Sequence, residues 1–129
     1  MSTSNSSIVN TYRWIWKPAI RDLSDFIYET KDHWKRLNLN FQCIYSGYLA
    51  DPNQVKFVEK FIEEFKEDDT LVVIDPVMAD NGKLYDGMSE KMIEEMRTLI
   101  KSADIITPNI TEASFLLGKE YKESLNEDE

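Results

Sequence analysis

The stretch VVIDPVMADNGKLYDG, Val72 to Gly87, decides how the rest of the chain is read. The apolar run Leu71–Ile74 carries β-branched residues of the kind found in parallel strands covered on both faces. It runs into Asp75 and then Pro76, which has no N–H to give a ladder and so ends the strand. Asn81-Gly82 is a strong tight-turn signal. It places Lys83 and Tyr85 beyond a tight turn, an arrangement that suits a small hairpin flap near the site Asp75 serves. An acid at this position stands where open parallel sheets gather ligands, outside the carboxyl ends of their strands.

The flanking sequence repeats that pattern. Arg21 to Asn38 has helical spacing, with Leu23, Phe26, Ile27, Trp34 and Leu37 on one face. Phe41–Ser46 reads as a short buried strand that Gly47 stops. Pro52 and Asn53 open a second helix with the stripe Val55, Val58, Phe61, Ile62 and Phe65. Ser89 caps a third, whose stripe is Met92, Ile93, Met96, Leu99 and Ile100. Ile105 and Ile106 form a third strand. Thr111 or Asn109 caps a last short helix, Glu112 to Leu117, and Gly118 closes it. Strands separated by helices of this length imply βαβ units and a parallel sheet with right-handed crossovers. The fold class is α/β, in one domain spanning residues 1–129. Residues 1–20 form a loop or flexible arm and residues 119–129 a charged, frayed tail.

Composition narrows the function. The 129 residues are 42% hydrophobic and 12% aromatic, enough for a core. The formal charge is −9. Residues 1–48 hold six basic and four acidic side chains, the remainder nine and twenty. Such a chain repels a phosphate backbone, which argues against a nucleic-acid partner. A single nucleotide is a different case, because local dipoles and a metal can hold one small anion. Cys43 is the only cysteine, so no intrachain disulfide forms and a reducing, cytoplasmic setting is expected. In its apolar run it reads as a buried small hydrophobe. No apolar stretch approaches the roughly 20 residues of a membrane span, and the first ten residues lack the layout of a signal peptide.

All three strands end in unusual chemistry: Gly47-Tyr48, Asp75-Pro76, and Thr107-Pro108-Asn109 with Glu112 just beyond. Each group has an ordinary use, Asp75 in a turn, Asn109 and Thr111 as helix caps, Glu112 as a favourable first-turn charge. Gathered on one sheet edge, they point to a site. Asp75, Asp80 and Glu112 would hold Mg²⁺ directly or through its waters. The metal would offset charge in phosphoryl transfer, and Asn109 would touch a phosphate oxygen without repelling it. His33, among charged residues of the first helix, reads as a surface residue.

These residues resemble a known family. Asp75-Pro76-Val77-Met78, Asp80-Asn81-Gly82-Lys83-Leu84-Tyr85, and Ala103 to Asn109 with Glu112-Ala113 are similar to the pyridoxal (pyridoxine, pyridoxamine) kinases of the ribokinase-like superfamily. Ile44 to Leu49, IYSGYL, fits the same pattern. The likeness runs from about residue 21 to residue 118. It implies a Rossmann-like three-layer sandwich with a mainly parallel sheet. It also implies transfer of the ATP γ-phosphoryl to the 5′-hydroxyl of a vitamin B6 vitamer, with Mg²⁺ and often K⁺, in a homodimer. By the resemblance, Asp75, Asp80, Thr107, Asn109 and Glu112 lie on the ATP and metal side. Tyr48 lies near the pyridine ring, and Asn5 stands where the family has a substrate-contacting threonine. A hydroxymethylpyrimidine or sugar kinase, or a binding module without turnover, are the alternatives.

Three departures from the family pattern carry expectations. Ala79 stands where the family usually has glycine, and would be strained by about 1 kcal/mol if its φ had to be positive. Ser2 to Ser6 is a degraded form of the family's substrate segment, and Trp14, Trp16 and Pro18 suit packing more than base stacking. The family's glycine-rich anion hole and catalytic aspartate have no counterpart: of Gly47, Gly82, Gly87 and Gly118, none lies within two residues of another. The family members run to about twice this length. These 129 residues alone are therefore expected to be a very poor kinase, with sheet faces left bare.

Overall fold

The computed structural model describes residues 21–122. Asn5, Trp14, Trp16, Pro18 and the end of the acidic tail lie outside the described residues. The chain divides into two compact units, Met1–Asn40 and Phe41–Glu129. In the first, α1 spans Ser24–Arg36. Asp22 accepts the Ser24 N–H at 2.8 Å and so supplies the cap that Leu23 lacks. A hydrogen bond from the Ser24 hydroxyl, helped by that backbone bond, holds the Asp22 carboxyl below its ordinary range. Phe26 and Leu37, assigned by their spacing to an inner stripe, are exposed. His33 is exposed, as expected.

The second unit carries the sheet. In order come β1 (Cys43–Ser46), α2 (Pro52–Phe65), β2 (Leu71–Ile74), β3 (Ala79–Asp80), β4 (Lys83–Leu84), α3 (Glu90–Leu99), a 3₁₀ turn at Ile100–Ser102, β5 (Ile105–Ile106) and α4 (Ile110–Leu117). Strands β1, β2 and β5 pair side by side, all parallel, with Tyr45 opposite Val73 and Val73 opposite Ile105. The α/β class, the parallel sheet and the alternation of helix and strand agree with the sequence.

Helix α2 starts where its sequence says it should. The Asp51 side chain accepts the Asn53 N–H at 2.7 Å, and Pro52, which needs no partner there, opens the first turn. Its stripe of Val55, Phe61, Ile62 and Phe65 is buried, and Phe61 stacks on Phe65 with centroids 4.5 Å apart. Met92, Met96 and Leu99 of α3 complete the core with Ile44, Val72 and Ile74. Each such side chain contributes about 1.5–3 kcal/mol when fully buried.

Burial differs between the two faces of the sheet, and here the sequence expectation needs correcting. Alternate residues of β1 and β2 follow the pattern exposed–buried, with Ile44, Ser46, Val72 and Ile74 inside. Cys43, Tyr45, Leu71 and Ile105 are exposed. Leu71–Ile74 is therefore covered on one face only, and Cys43 is not a buried hydrophobe. Topology supplies the reason. The strand order runs β1-β2-β5 without reversal, so two crossovers of one hand place both helices on the same face. Helices α2 and α3 accordingly pack against each other.

Candidate functional site

The parallel ladder continues one residue past the strand ends. Asp75 N–H donates to the Ser46 carbonyl at 2.8 Å, and Thr107 N–H donates to that of Ile74 at 3.1 Å. Strands lie about 4.8 Å apart, so Gly47, Asp75 and Thr107 leave the sheet side by side along one rim.

Asp75 has two jobs, divided between backbone and side chain. Its carbonyl accepts the Val77 N–H at 2.8 Å and closes the turn around the buried Pro76. Its carboxylate takes no part in that turn. Oδ2 accepts a hydrogen bond from the Tyr45 hydroxyl at 3.0 Å. Tyr45 lies opposite Val73, on the open face of the sheet, and Asp75 follows Val73 by two positions, so it shares that face. The hydrogen bond to Asp75 raises the Tyr45 phenol above its ordinary range, with burial and charge repulsion adding to it.

The start of α4 grips the β3–β4 hairpin. Asn109 and Glu112 form a capping box: the Asn109 Oδ1 accepts the Glu112 N–H at 2.9 Å, and the Glu112 Oε2 accepts the Asn109 N–H at 2.8 Å. Both side chains also reach across to the hairpin. Glu112 Oε1 accepts the Met78 N–H at 3.2 Å, and Asn109 Nδ2 donates to the Ala79 carbonyl at 2.8 Å. The Thr111 hydroxyl accepts the Gly82 N–H at 3.0 Å. Asn81 and Gly82, at φ 49° and 74°, form the tight turn that their sequence requires. The hairpin is thus held at three points by one helical turn and is no free flap. Ala79 has no positive φ, so the feared strain does not arise. Asn109, not Thr111, caps α4, and Ser89 sits at its N-cap position without a side-chain bond.

The remaining candidates surround this latch. Asp80 is exposed, and its two oxygens accept the Asn81 N–H and amide at 2.8 and 3.1 Å. Thr107 is exposed on the rim, and Tyr48 sits partly exposed in the loop after β1. Asn5 lies outside the described residues. Among the described residues, no three His, Cys, Asp or Glu side chains gather to hold a metal ion. Glu112 is only 3% exposed and is committed to two backbone amides. The rim's donors are oxygens, one free oxygen of Asp75 and the Thr107 hydroxyl, while Asp80 lies on the hairpin with both oxygens bonded to Asn81. Hard oxygen donors in small number fit Mg²⁺ arriving with phosphate and keeping several waters, not an all-protein cage. Sequence reading missed Tyr45 and the hairpin contact of Thr111. Alternation marks Tyr45 as outward-facing, but only the strand register puts its hydroxyl on Asp75.

Residues 25–129 match the phosphomethylpyrimidine kinase family. The chain is 33% identical over 89 residues to the pyridoxal kinase of Dictyostelium discoideum, covering 67% of this chain and 29% of that protein. The crystal structure of pyridoxal kinase from Lactobacillus plantarum superimposes with a TM-score of 0.84 at 32% identity, over 94% of this chain and 43% of that one. Pyridoxal kinase from Leishmania donovani, in complex with ADP and pyridoxamine, does so with a TM-score of 0.73 at 27% identity, over 87% and 41%. The chain therefore spans less than half the length of the proteins it resembles.

Proposed function

The chain belongs to the phosphomethylpyrimidine kinase family, and on that premise we propose that it forms the nucleotide- and metal-binding rim of a pyridoxal kinase-like phosphotransferase. The whole protein would transfer the γ-phosphoryl of ATP to the 5′-hydroxyl of pyridoxal, pyridoxine or pyridoxamine. One observation carries the reading. Asp75 and Thr107 leave adjacent parallel strands on one rim, beside a hairpin that Asn109 and Glu112 fix in place. Open parallel sheets bind ligands at such an edge. That its relatives include proteins named pyridoxal kinase supports a B6 vitamer as substrate over a hydroxymethylpyrimidine or a sugar.

Each residue has a part in this reading. Asp75 and the Thr107 hydroxyl face the phosphates and Mg²⁺, with Asp80 in the same neighbourhood. Asn109 and Glu112 shape the phosphate side by holding the 78–82 backbone. Tyr48 borders the pyridine pocket, and Asn5 belongs to the substrate segment. Mg²⁺, when bound, would neutralise charge on the phosphate oxygens. The general base and the glycine-rich anion hole are not among these residues. A bound K⁺, a homodimer and a cytoplasmic setting complete the proposal on family resemblance. No helix among the described residues is long and apolar enough to cross a membrane.

Calorimetric titration with Mg-ATP tests the rim: Asp75→Asn weakens binding, and equal affinity in the two proteins would remove the metal-phosphate role. Assays with pyridoxal, pyridoxamine, hydroxymethylpyrimidine and ribose test the substrate class. The 129 residues alone should give no measurable phosphorylation. A robust rate that Asp75→Asn abolishes would show that the base lies within them.

A further inference from the structure

We infer that Tyr45 is a positioning residue for the metal-nucleotide rim, acting through the Asp75 carboxylate; the inference rests on the nucleotide-binding reading proposed above. Tyr45 and Asp75 are thirty residues apart in sequence, and their side chains meet at 3.0 Å because β1 and β2 are adjacent. The tyrosine ring is 52% exposed and has no core to fill. It lies along the open face towards the strand ends, where its Cε1 would stand 3.5 Å from a Cβ added at Gly47. That distance is ordinary van der Waals contact, so the ring runs alongside Gly47 on its way to the rim.

The contact has a directional consequence. A lone carboxylate on an open sheet face rotates freely and must be ordered when a cation binds. The Tyr45 hydroxyl takes Oδ2 and leaves Oδ1 for a cation. The turn around Pro76 is closed by the Asp75 backbone carbonyl, so the tyrosine contact orients the carboxylate and plays no part in forming the turn. Ordering of the side chain is then complete before ligand arrives. Removing the hydroxyl should weaken metal-dependent binding by about three- to tenfold, the factor that immobilising one more side chain on association produces.

The test is calorimetric titration of the chain with ADP, with and without Mg²⁺, on the parent, Tyr45→Phe, Asp75→Asn and the double variant. Thermal unfolding is followed on each. The expected result is a three- to tenfold loss of Mg-ADP affinity in Tyr45→Phe, unchanged affinity for metal-free ADP and an unchanged unfolding midpoint. The double variant should match Asp75→Asn, because two groups acting as one unit do not add. Suppose Asp75→Asn weakens binding while Tyr45→Phe matches the parent, or its effect adds in full to that of Asp75→Asn. Positioning is then overturned and the nucleotide reading survives. Absence of Mg-ADP binding in the parent, or equal binding in Asp75→Asn, overturns both. A Tyr45→Phe loss that appears equally without Mg²⁺ also overturns positioning, since the ring would then act on the nucleotide itself.

Discussion

Glu112 sits where burial and hydrogen bonding make a strong forecast. It is 3% exposed, and its oxygens accept the N–H groups of Met78 and Asn109 at 3.2 and 2.8 Å. Alanine removes both acceptors. Met78 is fully buried, so water does not replace the lost bond, and an orphaned buried donor costs about 1–3 kcal/mol. The Asn109 N–H lies at the more open end of the helix, where losing its half of the capping box costs about 0.5–1 kcal/mol. Glu112→Ala should therefore destabilise the fold by about 1.5–4 kcal/mol. With a urea slope of about 1.5 kcal/mol per molar for a domain of this size, the unfolding midpoint falls by about 1–2.7 M. Glu112→Gln should lose about half as much, since one amide oxygen still accepts a bond while the NH₂ faces the other donor. Urea titration followed by far-ultraviolet circular dichroism measures the loss, and amide exchange locates it at Met78. An alanine variant within about 0.5 kcal/mol of the parent, with the Met78 amide still protected, would refute the latch.

Three further outcomes follow from local geometry. Gly82→Ala should cost more than Gly87→Ala. Both have positive φ, worth about 1–2 kcal/mol against a side chain, but a Cβ at Gly82 would stand 2.7 Å from the Tyr121 ring whereas at Gly87 it meets nothing within 4 Å; comparative melting curves decide the order. Asp104 accepts the Val72 N–H at 2.8 Å and pairs with Lys66 at 3.0 Å, and these contacts hold its carboxyl below the ordinary range. Its contribution is fully present above the unfolded value, about pH 3.9, and is lost as pH falls through the lower folded value. The stability gap between parent and Asp104→Asn should thus narrow in acid; a gap that stays constant from neutral pH to pH 2 in urea titrations would contradict this. Asp75→Asn should move the Tyr45 phenol back down towards about 10, seen in ultraviolet absorbance of the phenolate; an unmoved titration would mean the two side chains do not meet in solution.

The sequence by itself determined the elements and their order. Pro52 and Asp51 start α2, Asn81-Gly82 turns the hairpin, Gly118 at φ 66° closes α4, and the helical stripes name most of the core. These are local facts, set by backbone sterics and by side-chain period. The strand-end residues were also legible, because an acid, a threonine and a capping asparagine each follow an apolar run. What only the tertiary structure decided is partnership across the chain. Strand register puts Tyr45 on Asp75, two non-reversing crossovers leave Cys43, Tyr45 and Leu71 on an open face, and the docking of α4 commits Asn109, Thr111 and Glu112 to the hairpin backbone. A residue's type fixes which bonds it is able to make, but the groups brought within 3 Å of it come from distant sequence, and their selection depends on how strands and helices pack.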